Sequence, residues 1–123
     1  MAELLNGIDE MSIINIITSA GESISFMQQS LNETANQNYD EADKLWEKAG
    51  ESLSAAHNAH TSILQQEALQ NEGASGGSLL VHAQDHLMNA VLCRTLMENL
   101  RNMQTTINGL QNEIKELKGD NND

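Results

Sequence analysis

Apolar residues recur three and four positions apart along the first half of the chain, which is the spacing of one helix face. A first row comprises Ile13, Ile17, Ala20, Ile24, Met27 and Leu31, and a second comprises Ala42, Trp46, Ala49, Leu53, Ala56, His60 and Ile63. These rows predict helices over about residues 10–36 and 40–70. Residues before position 10 carry no such pattern and are expected to form a frayed lead-in.

A cluster of helix-breaking residues at positions 72–77 precedes a third pattern. The third row comprises His82, Asp85, His86, Asn89, Cys93, Leu96, Leu100, Met103, Ile107, Leu110, Ile114 and Leu117. It predicts a helix over about residues 78–118, about 60 Å long at about 1.5 Å per residue. Residues 119–123 are expected to form a disordered acidic tail. The chain, residues 1–123, is therefore predicted to be a single all-α domain, a three-helix antiparallel bundle.

From Leu96 onward the third row alternates steps of four and three, which is the heptad spacing of a coiled coil. A helix of this length would project well past its two neighbours unless it pairs with copies of itself. Ile at one heptad position and Leu at the other favours two strands by the rule for parallel dimers. Periodicity thus predicts self-association and does not decide between two chains and three.

The charge balance excludes some classes of partner. The 123 residues include 18 Asp and Glu against 6 Lys and Arg, a net charge of −12. Nucleic acids and anionic membrane surfaces select basic proteins, so neither is an expected partner. The chain has one Cys, which cannot form an intrachain disulfide and suits a reducing compartment. No signal peptide or membrane span is recognised, so a cytoplasmic protein is expected.

Two histidines and a carboxylate lie close together at the start of the third helix. His82, Asp85 and His86 are three and four positions apart, so they share one side of the helix. A neutral imidazole nitrogen is a good nucleophile near pH 7. The first turns of a helix also tolerate added negative charge, because free N–H groups point toward it. These residues suggest a phosphoryl-carrying site on His82, although a lone histidine is more often a capping or packing residue than a nucleophile.

Two other functions fit parts of the pattern. His57 and His60 on the second helix could face His82 and His86 on the third, which would make a transition-metal site in the bundle. The heptad row alone would also suit a structural coiled-coil adaptor.

The stretch Val81-His82-Ala83-Gln84-Asp85-His86-Leu87-Met88 resembles the signature of the lactose/cellobiose-type enzyme IIA proteins of the bacterial phosphoenolpyruvate-dependent sugar phosphotransferase system. The similarity covers most of the chain. Ala56-His57 with Thr61, Gln65, Glu67 and Ala68, Ala20-Gly21, and Asn38-Tyr39-Asp40-Glu41-Ala42 support it.

The resemblance implies a homotrimer in which the C-terminal helices form a parallel coiled coil. It implies that His82 accepts a phosphoryl group from the phosphocarrier HPr and passes it to a cysteine of enzyme IIB. It implies that the Asp85 carboxylates of three chains share one Mg²⁺ ion per trimer. Gln84 and His86 are then supporting residues, no organic cofactor is expected, and the membrane is reached only through the permease component.

Two features of this sequence qualify the resemblance. Ile24 stands where the family often carries a basic residue, and His60 stands where it often carries Gln. The run His82-Ala83-Gln84 is more similar to the cellobiose/diacetylchitobiose branch than to the lactose branch. The sequence therefore predicts a phosphoryl carrier for uptake of a cellobiose- or diacetylchitobiose-type β-glucoside.

Overall fold

The computed structural model describes residues 4–5, 8–70 and 77–121, and three long helices dominate this part of the chain. Helix α1 spans Glu10–Ala35, α2 spans Tyr39–Gln70 and α3 spans Gly77–Asn121. The two-residue strands β1 (Leu4–Leu5) and β2 (Ile8–Asp9) pair in antiparallel fashion before α1. The predicted all-α, three-helix class is confirmed. The prediction of a frayed lead-in is wrong for the described residues 4–5 and 8–9, because their backbones pair as two short strands.

Helix α3 continues past the position where the sequence predicts its end. It has 45 residues, which makes it about 67 Å long at about 1.5 Å per residue. Residues 119–121 are helical, so the prediction of a disordered tail is wrong there, and residues 122–123 lie outside the described part. One glycine costs a helix only about 0.5–1 kcal/mol relative to alanine. Gly119 is therefore too weak a signal to end a helix that is already formed.

The three helices run up, down and up. Two α1 hydroxyls donate to α2 carbonyls in reversed order: Ser23 Oγ to Ala49 O and Ser30 Oγ to Ala42 O, both at 2.7 Å. Arg94 of α3 reaches Trp46 of α2, and Arg101 reaches the earlier Asp43, so α2 and α3 are also antiparallel. Helices α1 and α3 are consequently parallel, and the start of α3 lies beside the start of α1.

The buried face of α1 differs from the predicted row. Its buried residues are Ile13, Ile16, Ala20, Ser23, Met27, Ser30 and Thr34, whereas Ile17, Ile24 and Leu31 are half-buried. The hydroxyls of Ser23 and Ser30 can be buried because each is satisfied by an α2 carbonyl. Their small size and the facing Ala42 and Ala49 let the two helices approach closely.

A pair of arginines on α3 clamps the single tryptophan of the chain. The guanidinium carbons of Arg94 and Arg101 lie 3.8 Å and 4.7 Å from the centroid of the Trp46 ring. Arg94 Nη1 donates to Trp46 O at 2.9 Å, and Arg101 Nη2 lies 2.8 Å from Asp43 Oδ1. Burial lowers the pKa of Arg94 from its usual value, because the charged form loses hydration. Guanidinium–ring contacts therefore connect α2 to α3.

Helix α3 has a second apolar face that is exposed in the single chain. This face, here called the outer row, consists of Val81, Met88, Leu92, Leu96, Leu100, Met103, Ile107, Leu110, Ile114 and Leu117, each 42–62% exposed. The predicted row is right from Leu96 onward. It is wrong before Leu96, where the face continues through Leu92 and Met88 and where Cys93 and His86 are half-buried. Consecutive steps of four between Met88 and Leu100 shift the face, as a stutter does in a coiled coil.

The far end of the bundle, where α1 turns into α2, is held by amide side chains. Asn108 is 1% exposed, and its Nδ2 donates to Thr34 O at 2.7 Å and to Tyr39 Oη at 2.9 Å. One turn later, Asn112 Nδ2 donates to Gln37 Oε1 at 3.1 Å. Gln37 has φ 64, so the turn contains a left-handed residue that its side chain ties to α3. These bonds fix the position of α3 along α1.

Replacing Asn108 with Ala should lower the free energy of unfolding by about 1–3 kcal/mol, because two buried or half-buried oxygen atoms lose their donor. Urea unfolding at one protein concentration measures the effect. Asn102→Ala, at an exposed position of the same helix, is the matched control and should change stability by less than about 0.5 kcal/mol. Equal effects of the two substitutions would contradict the assigned role of Asn108.

Candidate functional site

The candidate site lies on the first turns of α3, and two histidine rings form its centre. His82 is exposed, and His86, one turn later, is half-buried. Their Nε2 atoms are 3.1 Å apart, and their ring centroids are 4.6 Å apart with the ring planes at 88°. The predicted neighbours are therefore in hydrogen-bonding contact.

The contact between the two rings constrains the chemistry of both. A hydrogen bond between two ring nitrogens holds one proton, so one Nε2 donates and the other accepts. The donor keeps its lone pair on Nδ1, and the acceptor keeps its proton there. The contact with His86 orients the more exposed His82 ring.

Asp85 is exposed and occupies a different side of α3 from the histidine pair. Three residues correspond to a rotation of about 60° from His82 around a helix of 3.6 residues per turn. This rotation places Asp85 within the outer row, between Val81 and Met88. A carboxylate surrounded by apolar side chains is costly if that face becomes buried, unless a cation or a proton accompanies it.

Gln84 lies on the opposite side of α3 from His82. Two residues correspond to a rotation of about 160°, and the Gln84 amide Nε2 is 3.1 Å from His60 Nε2 of α2. Gln84 therefore contacts α2, and its predicted supporting role stays a prediction. The contact between Gln84 and His60 could not be predicted from the sequence, because the spacing of residues along one helix does not identify a partner on another.

The four histidines do not assemble into one cluster. His60 contacts Gln84, His57 is exposed, and His82 contacts His86. In the part of the chain that the structure describes, no three His, Cys, Asp or Glu side chains come together as ligands for a metal ion. The geometry of a single chain gives no support to the four-histidine metal site considered above.

The sequence and the fold both resemble those of known proteins. Residues 11–105 match the family model described as the lactose/cellobiose-specific IIA subunit of the PTS. A three-helix bundle whose third helix carries the exposed His82 beside the half-buried His86 thus matches a component of a sugar phosphotransferase system. The chain belongs to the lactose/cellobiose-specific enzyme IIA family, whose members are phosphotransferase components in sugar transport.

Relatives agree with this assignment over most of their length. The lactose-specific EIIA component of Staphylococcus epidermidis is 35% identical over 94 residues, which cover 75% of this chain and 89% of the relative. The oligo-beta-mannoside-specific EIIA component of Bacillus subtilis is 34% identical over 106 residues, covering 86% and 96% of the two chains. The crystal structure of the cellobiose-specific enzyme IIA from Bacillus anthracis matches with a TM-score of 0.74 and 31% identity over 81% of this chain and 91% of that one.

Among the described residues, none of the three helices combines the length and the apolar composition that crossing a membrane requires.

Proposed function

We propose that this chain is a phosphoryl carrier that accepts a phosphoryl group from HPr on His82 and passes it to a cysteine of enzyme IIB. The observation that carries the proposal is the exposed His82 ring, oriented through Nε2 by His86, in a member of the enzyme IIA family. The protein would act in the cytoplasm and would meet the membrane only through the permease component.

The two transfers balance without a further reactant. In the first, a ring nitrogen of His82 attacks the phosphorus of a phosphohistidine on HPr, an N–P bond forms on His82, and the donor imidazole leaves with the electron pair of its own N–P bond. In the second, a cysteine thiolate of enzyme IIB attacks the same phosphorus, and His82 is the leaving group. Both steps need an accessible His82, and that ring is exposed.

His86 is the residue best placed to assist these steps. Its Nε2 lies 3.1 Å from His82 Nε2, so an N–H there can move its hydrogen bond from the ring nitrogen to an incoming phosphoryl oxygen. Gln84 assists indirectly by connecting α3 to His60 of α2.

The sugar is proposed to be a β-glucoside of the cellobiose or diacetylchitobiose type. The resemblance of His82-Ala83-Gln84 to that branch supports it, and one structural neighbour is named as cellobiose-specific. The relatives by sequence are named for lactose and for oligo-beta-mannosides. Parallel transfer assays with cellobiose-type and lactose-type enzyme IIB would decide, since faster transfer to the lactose-type partner would contradict the proposal.

The carrier is proposed to be a homotrimer whose α3 helices form a parallel coiled coil through the outer row. Ten apolar side chains, each at least 42% exposed, lie along one face of a single helix. Monomeric proteins rarely leave a contiguous apolar surface of this size in water. The structural coiled-coil adaptor uses the same surface, but it leaves the histidine pair without a role.

One Mg²⁺ ion per trimer is proposed to be held by the Asp85 carboxylates. Carboxylate oxygens are ligands that Mg²⁺ prefers, and Asp85 lies in the face that self-association would bury. A single chain brings no three such ligands together among its described residues, and the proposed site draws one carboxylate from each chain. When bound, the ion offsets the repulsion of three like charges.

Incubation with phosphoenolpyruvate, enzyme I and HPr should add one acid-labile phosphoryl group to this protein, and His82→Gln should remove the acceptor. Intact-mass measurement follows the modification. His57→Gln, which removes another exposed histidine, is the matched control and should be modified like the parent. An unmodified parent mass, or full modification of His82→Gln, would refute the carrier function.

Leu110→Glu should dissociate the oligomer, because it places a charge in the centre of the buried outer row. Sedimentation velocity at micromolar concentration should give a trimer for the parent and a monomer for the variant. Leu69→Glu, at an exposed leucine of α2 outside the row, should remain a trimer. A monomeric parent would rule out the assembly.

Removing divalent cations with a chelator should lower the melting temperature of the parent, because the Asp85 carboxylates then repel one another. Asp85→Asn should lose this sensitivity, since neutral amides need no cation. Asp40→Asn, at an exposed carboxylate of α2, should retain it. Melting curves of all three proteins with chelator and with magnesium give the comparison, and a parent that is indifferent to chelator would exclude the shared ion.

A further inference from the structure

Helix α3 extends past the last polar contact that ties it to the rest of the bundle. Among the described residues, that contact joins Asn112 to Gln37 in the turn after α1. Residues 113–119, here called the terminal segment, add about 10 Å of helix at about 1.5 Å per residue, and all are exposed. They also lie beyond residues 11–105, which are the ones that the family model matches. The terminal segment is therefore available to a partner, and the family match does not account for it.

The terminal segment continues the apolar face of the outer row. Ile114 and Leu117 are 51% and 62% exposed, and they repeat Ile107 and Leu110 one heptad earlier. In a coiled coil the two Ile residues occupy position a and the two Leu residues position d. Because the spacing does not change, a second copy that covers the row at Ile107 covers the terminal segment as well.

Two opposite charges flank this apolar seam. Glu113 precedes Ile114 and so occupies position g, and Lys118 follows Leu117 and so occupies position e. Neither has an oppositely charged residue three or four positions away along α3, and neither takes part in an ion pair of the described residues. Both side chains are exposed. Contacts within one chain therefore do not explain their placement.

The two charges face each other when copies of α3 run parallel. In a parallel coiled coil, position g of one helix lies beside position e of the next heptad in its neighbour, five residues later. Glu113 of one copy then lies beside Lys118 of the next copy. In an antiparallel pair, g lies beside g and e beside e, and position g carries no Lys or Arg from Asn99 onward. The charges therefore favour the parallel arrangement, which the apolar spacing alone does not select.

The same pair distinguishes the register of the helices. Slipping one copy by seven residues keeps Ile beside Ile and Leu beside Leu, but it takes Glu113 away from Lys118, for example to the uncharged Gln111. Such a slip would also move the Asp85 side chains about 10 Å apart along the helix axis. Three carboxylates that share one ion must lie at the same height. The register at the end of α3 therefore bears on the ion site proposed at its start.

We propose that the terminal segment is a parallel self-pairing element in which Glu113 of one copy forms an ion pair with Lys118 of the next copy. The partner on this surface is thus a second copy of the chain. The proposal rests on the proposed self-association through the outer row, and it adds the orientation and the register of that association. Exposed ion pairs are weak, so this pair contributes little affinity and acts by disfavouring the wrong arrangements.

Charge reversal tests the ion pair. Glu113→Lys and Lys118→Glu should each raise the concentration at which half of the chains are assembled about three- to tenfold at low salt, because like charges then face each other. The two substitutions together restore opposite charges and should bring that concentration back to within about twofold of the parent value. Salt at about 0.5 M should remove most of the difference, because it screens exposed charges.

The matched controls are Glu116→Lys and Lys115→Glu. They change the net charge equally, but they lie at positions c and b, which face away from the seam. Each should shift the half-assembly concentration by less than about twofold. Sedimentation velocity over a dilution series measures the assembled fraction. Where the parent stays assembled at the lowest concentration, Leu110→Ala is added to every protein, since it weakens the apolar seam without adding charge.

The outcomes separate the ion pair from the assembly itself. Single reversals that are no weaker than their controls, or a double reversal that stays as weak as the single ones, overturn the ion pair and leave the outer-row assembly standing. A parent that is monomeric at micromolar concentration refutes that assembly, and the ion pair fails with it.

Discussion

Helix α3 carries two apolar faces, one buried and one exposed, and the rest of the structure depends on that constraint. One side of it, with Leu80, Ala83, Leu87 and Ala90, is buried against its own bundle. The outer row lies on nearly the opposite side and meets only water in a single chain. A helix with two such faces has only narrow flanks left for polar chemistry. His82 and His86 occupy one of these flanks, where His82 is exposed and His86 half-buried.

The bundle beneath α3 is held by buried polar contacts as well as by its apolar core. The buried hydroxyls of Ser23 and Ser30 join α1 to α2, and Asn108 joins α3 to the end of α1. Such hydrogen bonds are directional, so they fix the position of each helix along its neighbour. Apolar contacts are not directional and fix this position less strictly. Because the two ends of α3 are tied to different partners, His82 is held on a rigid element.

Helical periodicity alone predicted the three elements and the lower part of the outer row. It did not predict the burial of Ser23, Ser30 and Thr34, because a pattern of apolar residues leaves polar ones out. It also failed at the start of α3, where a step of four in place of three moves the apolar face from Cys93 to Leu92. The contact of His82 with His86 follows from their spacing of four. The contact of Gln84 with His60 does not follow from any spacing, since it depends on how two helices lie together. The chemical role of the histidine was suggested by the residue types and given by the family resemblance.

The clamp around Trp46 has a consequence for how the molecule can be observed. This indole is the only one in the chain, and two guanidinium groups of α3 lie over its ring at the junction of α2 and α3. Its fluorescence emission therefore reports on the packing of α2 against α3.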